Sequence, residues 1–377
     1  MAILAPVLTF VGSKLGVRKI AEFRGLRVLA WNGDVLYAAH GYKLYKALMT
    51  GDEFAFVPVA VYRPEWWRAI SSKSRLGYRL VRDGFHALAV HPAGNLIGAV
   101  PGEIVTLRPG ETEFAASYRV PRGTRPLHLA VTPGGRAYWG EYFDNAKRDE
   151  VHIYGSDDGG CHWNVAHAFR EGAIRHVHNI VYDRWDNCLW VLTGDYGNEC
   201  KVLRASLDFA TVDEVLAGNQ QARGVAVIVD ETGLFYASDT PLEQNHIYHL
   251  DRRGRLRECS RIPSSSIYGC RTQSGMFFST MVEPSDSNPS REVTLFGSHD
   301  GGNWDWMAGW RKDRWSMKYF QYGNAFLPDG ENSTDLLAAT TLAVEGADLK
   351  TSIWQTFKLQ GGQGTTGANR AEQFPVL

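Results

Sequence analysis

Short runs of alternating apolar and polar residues recur along this chain, each bounded by Gly, Asn, Asp or Pro, and their period of two is that of half-buried β-strands. One apolar run leads each recurrence: RVLAW from Arg27, HALAV from His86, HLAV from His128, HNIVY from His178, RGVAV from Arg223, SIYGC from Ser266 and YGNAF from Tyr322. A turn follows each of them: NGD at 32–34, HPAGN at 91–95, TPGGR at 132–136, DRWDN at 183–187, DETG at 230–233, TQSG at 272–275 and PDGEN at 328–332. A second strand, a looser loop and two further strands complete the unit, which repeats about every 40 to 60 residues, the span of a four-stranded propeller blade.

Seven such units predict an all-β fold: a seven-bladed β-propeller of four-stranded antiparallel blades, closed into a ring because closure leaves no sheet edge exposed. The strand GVRKIAEF at about 16–23 precedes the first unit, while SIWQTF ends the last unit one strand short, so the N-terminal strand is expected to complete the last blade. The domain expected is therefore residues 1–358. The Gly-rich polar tail 359–377 is expected to be flexible. Helical periodicity is confined to TVDEVLAGN at 211–219.

Composition narrows the function classes. The 40 Lys and Arg nearly balance the 41 Asp and Glu, so the chain as a whole has no field that would draw it to nucleic acid or to a membrane surface. Five cysteines, odd in number, widely spaced and without a CxxC, support neither a disulfide framework nor a zinc ribbon. The apolar start MAILAPVLTFVG lacks a positive segment before it and a clear small-residue cleavage site after it, and is too short to span a bilayer, so a cytoplasmic location is expected.

SDDGGCHW at 156–163 fits the pattern Ser-x-Asp-Gly-Gly-x-x-Trp, SHDGGNW at 298–304 repeats it with the tryptophan one residue early, and LRPGETEF at 107–114 is a degraded third copy. These resemble the Asp-boxes, or BNR repeats, of the sialidase-like β-propeller superfamily. The resemblance implies a turn between the third and fourth strands of a blade, away from the active site, in which Asp158 and Asp300 accept turn amides and Trp163 and Trp304 pack between blades. It also implies an arginine triad, a tyrosine nucleophile with a partner Glu, and an Asp acid/base. FRGL at 23–26 partly matches the first-arginine motif and Arg223 and Arg271 could supply the others, but no tyrosine aligns with the nucleophile.

In a propeller the starts of the inner strands and the ends of the second strands meet around the channel mouth. The former bring His86, His128, His178, Arg223, Tyr268 and Asn324; the latter bring Glu141, Tyr142, Asp195, Tyr196, Asp239 and Glu283. HVHNIVYD begins the fourth inner strand, whose alternation points His176 and His178 the same way, toward the mouth, with His178 expected in the site and His176 on the rim in the loop above. The loops on this face are basic. Residues 63–84 carry six Arg or Lys against two acids and 311–318 carry four against one, with Arg122, Arg125, Arg170 and Arg175 beside them. Trp66, Trp67 and Trp315 lie among these cations, a setting suited to the apolar faces and acidic groups of sugars.

The expected activity is hydrolysis of an acidic oligo- or polysaccharide. Two of Glu141, Asp195, Asp239 and Glu283 would act as acid and as base or nucleophile, assisted by His86, His128, His178 and Tyr142, without a cofactor. Arg223, Arg271, Arg175, Tyr196, Asn324, Trp66 and Trp67 would bind the substrate. The alternative is a polysaccharide lyase with a His or Tyr base, where an arginine, or a divalent metal on His86, His128 and His178, neutralises a uronate. A second alternative is a non-catalytic platform for glycan or protein. No nucleic-acid or membrane partner is expected, and the oligomeric state is open.

Overall fold

The computed structural model describes residues 7–8, 15–50 and 53–359 of the chain; apart from residue 359, the tail expected to be flexible lies outside them. Seven sheets, antiparallel apart from one added strand in the first, form an all-β seven-bladed propeller. The second to sixth blades each take four consecutive strands, as in the fourth, which runs His176–Asp183, Cys188–Gly194, Lys201–Ala205 and Val212–Ala217. The segment TVDEVLAGN is therefore an outer strand and not a helix. Its β-branched Thr211, Val212 and Val215 suit a pleated surface, and Lys201–Ala205 pairs with it along its length.

The seventh blade is built from both ends of the described chain. Leu15–Arg24 pairs antiparallel with Lys350–Lys358, which continues to Leu336–Leu342 and the short inner strand Asn324–Phe326. Beyond that inner strand PDGEN does not turn tightly. Asp329–Asn332 instead runs parallel to Arg27–Gly33 of the first blade as an extra innermost strand, so the first sheet has five strands. The apolar faces of adjacent blades supply the core: Trp139 of the third blade is fully buried and stacks on Tyr154 at 4.3 Å between centroids.

Helix occurs in the basic stretch 63–84, which sequence periodicity leaves as a loop. Two short helices, Trp66–Ser71 and Arg75–Val81, meet there, and the Ser74 hydroxyl caps the second by accepting from Gly77 N at 2.9 Å. Arg79 is fully buried and pairs with Asp313 at 2.6 Å, tying this insert to the loop after the sixth blade. None of the helices among the described residues is long and apolar enough to cross a membrane. All five cysteines are free thiols.

The turns at 156–163 and 298–304 join the third and fourth strands of the third and sixth blades, on the face opposite the inner-strand starts. Asp158 accepts from Ser156 Oγ at 2.8 Å and from the amides of Cys161 and His162 at 3.0 and 2.9 Å. Gly301 has φ of 71°, and a Cβ there would lie 2.3 Å from the Phe235 ring of the preceding blade, so size and backbone both demand glycine. Trp163 donates to Ser117 Oγ of the second blade at 3.2 Å, and Trp304 packs on Phe235 of the fifth. Asp158→Ala should therefore lower stability by about 1–2 kcal/mol, because two turn amides lose their acceptor. An unchanged denaturation midpoint would show that water replaces the carboxylate without cost.

Candidate functional site

At the mouth of the fourth blade three donor atoms converge. His176 Nε2 lies 3.0 Å from His178 Nε2, and Asp195 Oδ1 lies 3.4 and 3.2 Å from the two. The second ring nitrogens are held by backbone carbonyls, His176 Nδ1 by Phe143 O and His178 Nδ1 by Gly224 O, both at 3.0 Å. The inner strand makes this possible through a β-bulge: Val177 pairs with Thr193 and Asn179 with Leu192, leaving His178 as the extra residue. The sequence reading leaves His176 on the rim, in a loop above the strand, but the strand begins at His176 itself. In the structure it is 5% exposed and part of the site, overturning the sequence expectation.

Arginines and further carboxylates surround this trio. Arg175 reaches Asp195 Oδ2 at 3.1 Å and pairs with Asp144. Arg223, from the start of the fifth inner strand, lies 3.2 Å from Asp195 Oδ1 and 3.5 Å from Asp239. Burial acts to raise the Asp195 pKa, but its close contacts with His176 and His178 and the charge of Arg223 outweigh it, holding this carboxyl far below the usual range. Glu283, half-buried on the sixth blade, moves the opposite way. Burial raises it first, and the neighbouring Asp239 and Asp195 raise it further against Arg223. Tyr142 packs against His176 at 4.3 Å, and burial, with Asp239 and Asp195, keeps its hydroxyl protonated.

Asn324 begins the seventh inner strand, and its buried Oδ1 has no hydrogen-bond partner; the same is true of Ser264 and Ser266 Oγ on the sixth blade and Nε of Arg175 and Arg223. Unpaired buried polar atoms are costly unless something else, such as water, engages them. Tyr196 stands 44% exposed beside Arg175 and Arg223, 5.7 and 5.9 Å from their guanidinium carbons.

Other sequence candidates are placed elsewhere. Glu141 is 1% exposed, with both oxygens engaged by Arg122 and the His152 amide, so it braces the third blade and is not free for proton transfer. Arg271 ends its strand at the turn face, opposite the mouth, and joins no site. His86, His128 and His178 do not form a metal set. His86 Nδ1 meets Arg27 at 3.0 Å and its Nε2 meets Arg82 O, while His128 pairs with Asp329 at 3.0 Å. Matching positions in successive blades are spread around the ring, so equal register does not bring side chains together. Trp66 is 75% exposed on its helix, and Trp67 donates to Glu65.

A second group, which sequence reasoning did not assemble, fills the channel. Arg27 crosses it, 3.0 Å from His86, 3.4 Å from the Tyr268 hydroxyl and 4.0 Å over the Phe326 ring. Burial and the adjacent Arg27 and Arg82 bring the Arg125 guanidinium down to about 9. Arg27 and Arg125 thus lie close together, and Asp329 beside them is engaged by His128. Two surface clefts of about 200 and 370 Å³ lie on the rim, lined by residues such as Arg291, Arg314, Arg24 and Lys350; neither reaches the His176 group.

No family model matches the chain, and no curated protein matches it. Among solved structures, a chain of one titled "Crystal Structure of Mitotic Checkpoint Complex" is similar at 12% identity and a TM-score of 0.53, with 90% of each chain covered. At that identity, and with 1048 solved chains matching, the likeness shows the propeller fold alone.

Proposed function

We propose that the channel mouth is the active site of a glycoside hydrolase acting on an acidic oligo- or polysaccharide. The observation that carries this reading is the division of two carboxylates beside Arg223: Asp239 is ion-paired with the guanidinium at 3.5 Å, while burial pushes Glu283 toward the protonated form. Two acids in opposed environments are what acid/base cleavage of a glycosidic bond requires. Glu283 acts as general acid toward the leaving oxygen. Asp239, on the other side of the same guanidinium, acts as base or nucleophile, and Asp195 orients Arg175 and Arg223.

The substrate is anionic because the site offers it cations. Arg27 and Arg125 lie together in the channel, where the nearby Asp329 is already engaged by His128, and Tyr196 offers a face for a sugar ring beside Arg175 and Arg223. The turns at 156–163 and 298–304, with their resemblance to Asp-boxes, agree with a sialidase-like scaffold. The chemistry is read from the mouth residues.

A lyase is the second reading, favoured by Tyr142 against His176 and by the two imidazoles beside Arg223, which could remove a proton α to a neutralised uronate. Digestion of a panel of acidic polysaccharides separates the readings. New reducing ends without ultraviolet absorbance are expected; absorbance of an unsaturated sugar would establish the lyase. Thermal protection by a glycan that is never cut would leave a binding platform.

A further inference from the structure

We propose that His176, His178 and Asp195 bind one divalent transition-metal ion through His176 Nε2, His178 Nε2 and Asp195 Oδ1. A carbonyl oxygen only accepts hydrogen bonds, so the contacts to Phe143 O and Gly224 O place a proton on Nδ1 of each ring. In the neutral rings both Nε2 atoms then carry lone pairs. These face each other at 3.0 Å and face a carboxylate oxygen at 3.2 and 3.4 Å, with side chains only 2–12% exposed. Three electron-rich atoms converge out of water, and their meeting point requires a positive charge. A proton can occupy one of the three lines between them; a metal ion serves all three.

The dimensions fit. An ion about 2.0–2.1 Å from each donor would see the three pairs at about 90–115°, between octahedral and tetrahedral angles. Two imidazoles and one carboxylate suit ions of the manganese-to-zinc series. Carbonyl anchoring of both outer nitrogens is the support that metal-bound histidines usually have. Arg175 holds Asp195 Oδ2 and Arg223 lies 3.2 Å from Oδ1, while Asp239 and Glu283 offset the Arg223 charge. The other cluster of donor residues, Asp183, Asp186 and Cys188, offers no comparable opening, since Asp183 is engaged by Arg252, Trp190 Nε1 and two turn amides.

The site needs no assumption about the reaction and is tested without any glycan. Full-length protein freed of metal by a chelator and dialysed is titrated with Co²⁺ and with Zn²⁺. One ion per chain is expected, with a visible Co²⁺ absorption band. His176→Gln and His178→Gln should each weaken binding by about 100-fold or more and abolish the band, whereas His128→Gln should change neither. Asp195→Asn, which keeps both rings, provides a second route if a histidine variant does not fold. The proposal is overturned if wild-type protein binds neither ion more tightly than the His176→Gln/His178→Gln double variant.

Discussion

Glu283→Gln should lower turnover of an acidic glycan by about 100- to 10,000-fold, the range lost when a positioned proton donor is removed. The amide keeps the size of the side chain and a hydrogen-bonding group but has no proton to transfer to a leaving oxygen. The surroundings of Glu283 give the effect a pH signature. Burial raises its pKa, Asp239 and Asp195 add to the rise, and Arg223 opposes it. A general acid works in its protonated form, so the rate should be full at pH below the raised pKa and fall as pH increases through it. That alkaline limb should vanish from whatever activity Glu283→Gln retains. Full activity with an unchanged pH profile would remove Glu283 from the mechanism, and Asp239 would be next to test.

Arg79→Met should cost about 3–5 kcal/mol of stability, the penalty typical of breaking a buried ion pair from one side. Its guanidinium is inaccessible to solvent, lies 2.6 Å from Asp313 and 3.5 Å from Asp348, and sits 4.7 Å from the Trp315 ring centroid. Methionine keeps the stem but leaves two nearly buried carboxylates sharing Arg75 and Lys312. The pairing also predicts acid sensitivity. Burial acts to raise the Asp313 carboxyl, but hydrogen bonds from Arg79 and Lys312 prevail and lower it from 3.8 to about 2. Its contribution is thus complete above about pH 4 and is lost as pH falls toward 2. Denaturant midpoints of Arg79→Met, Asp313→Asn and the double variant close the cycle. Additive losses would mean that the two residues do not stabilise each other.

The blades were legible because each repeats the same physical demand, an apolar alternating strand followed by a turn that glycine or an Asx residue can make. That signal is local, and so are its failures. TVDEVLAGN has helical spacing, but its place beside Lys201–Ala205 decides it as a strand. PDGEN has the composition of a turn, but the open edge of Arg27–Gly33 pairs with it.

At the mouth, sequence placed Asp195, Asp239, Glu283, Tyr142 and Arg223 on the same face, since strand ends can be counted. Which of them touch depends on blade geometry and on the bulge at His178, which alternation cannot register. HVH was visible as a pair two residues apart. The missing information was that both outer nitrogens would find carbonyls, leaving the inner ones face to face.

The strand Asp329–Asn332 changes how the ring holds together. In an array of repeats each unit feels only its neighbours, and loss of one contact loosens one joint. Here Asp329 reaches His128 on the third blade, and Arg27 on the first reaches Tyr268 on the sixth, so spokes cross the hub between blades that share no edge. Such a wheel resists radial spreading. Its blades should melt together, and damage at the hub should be felt around the whole rim.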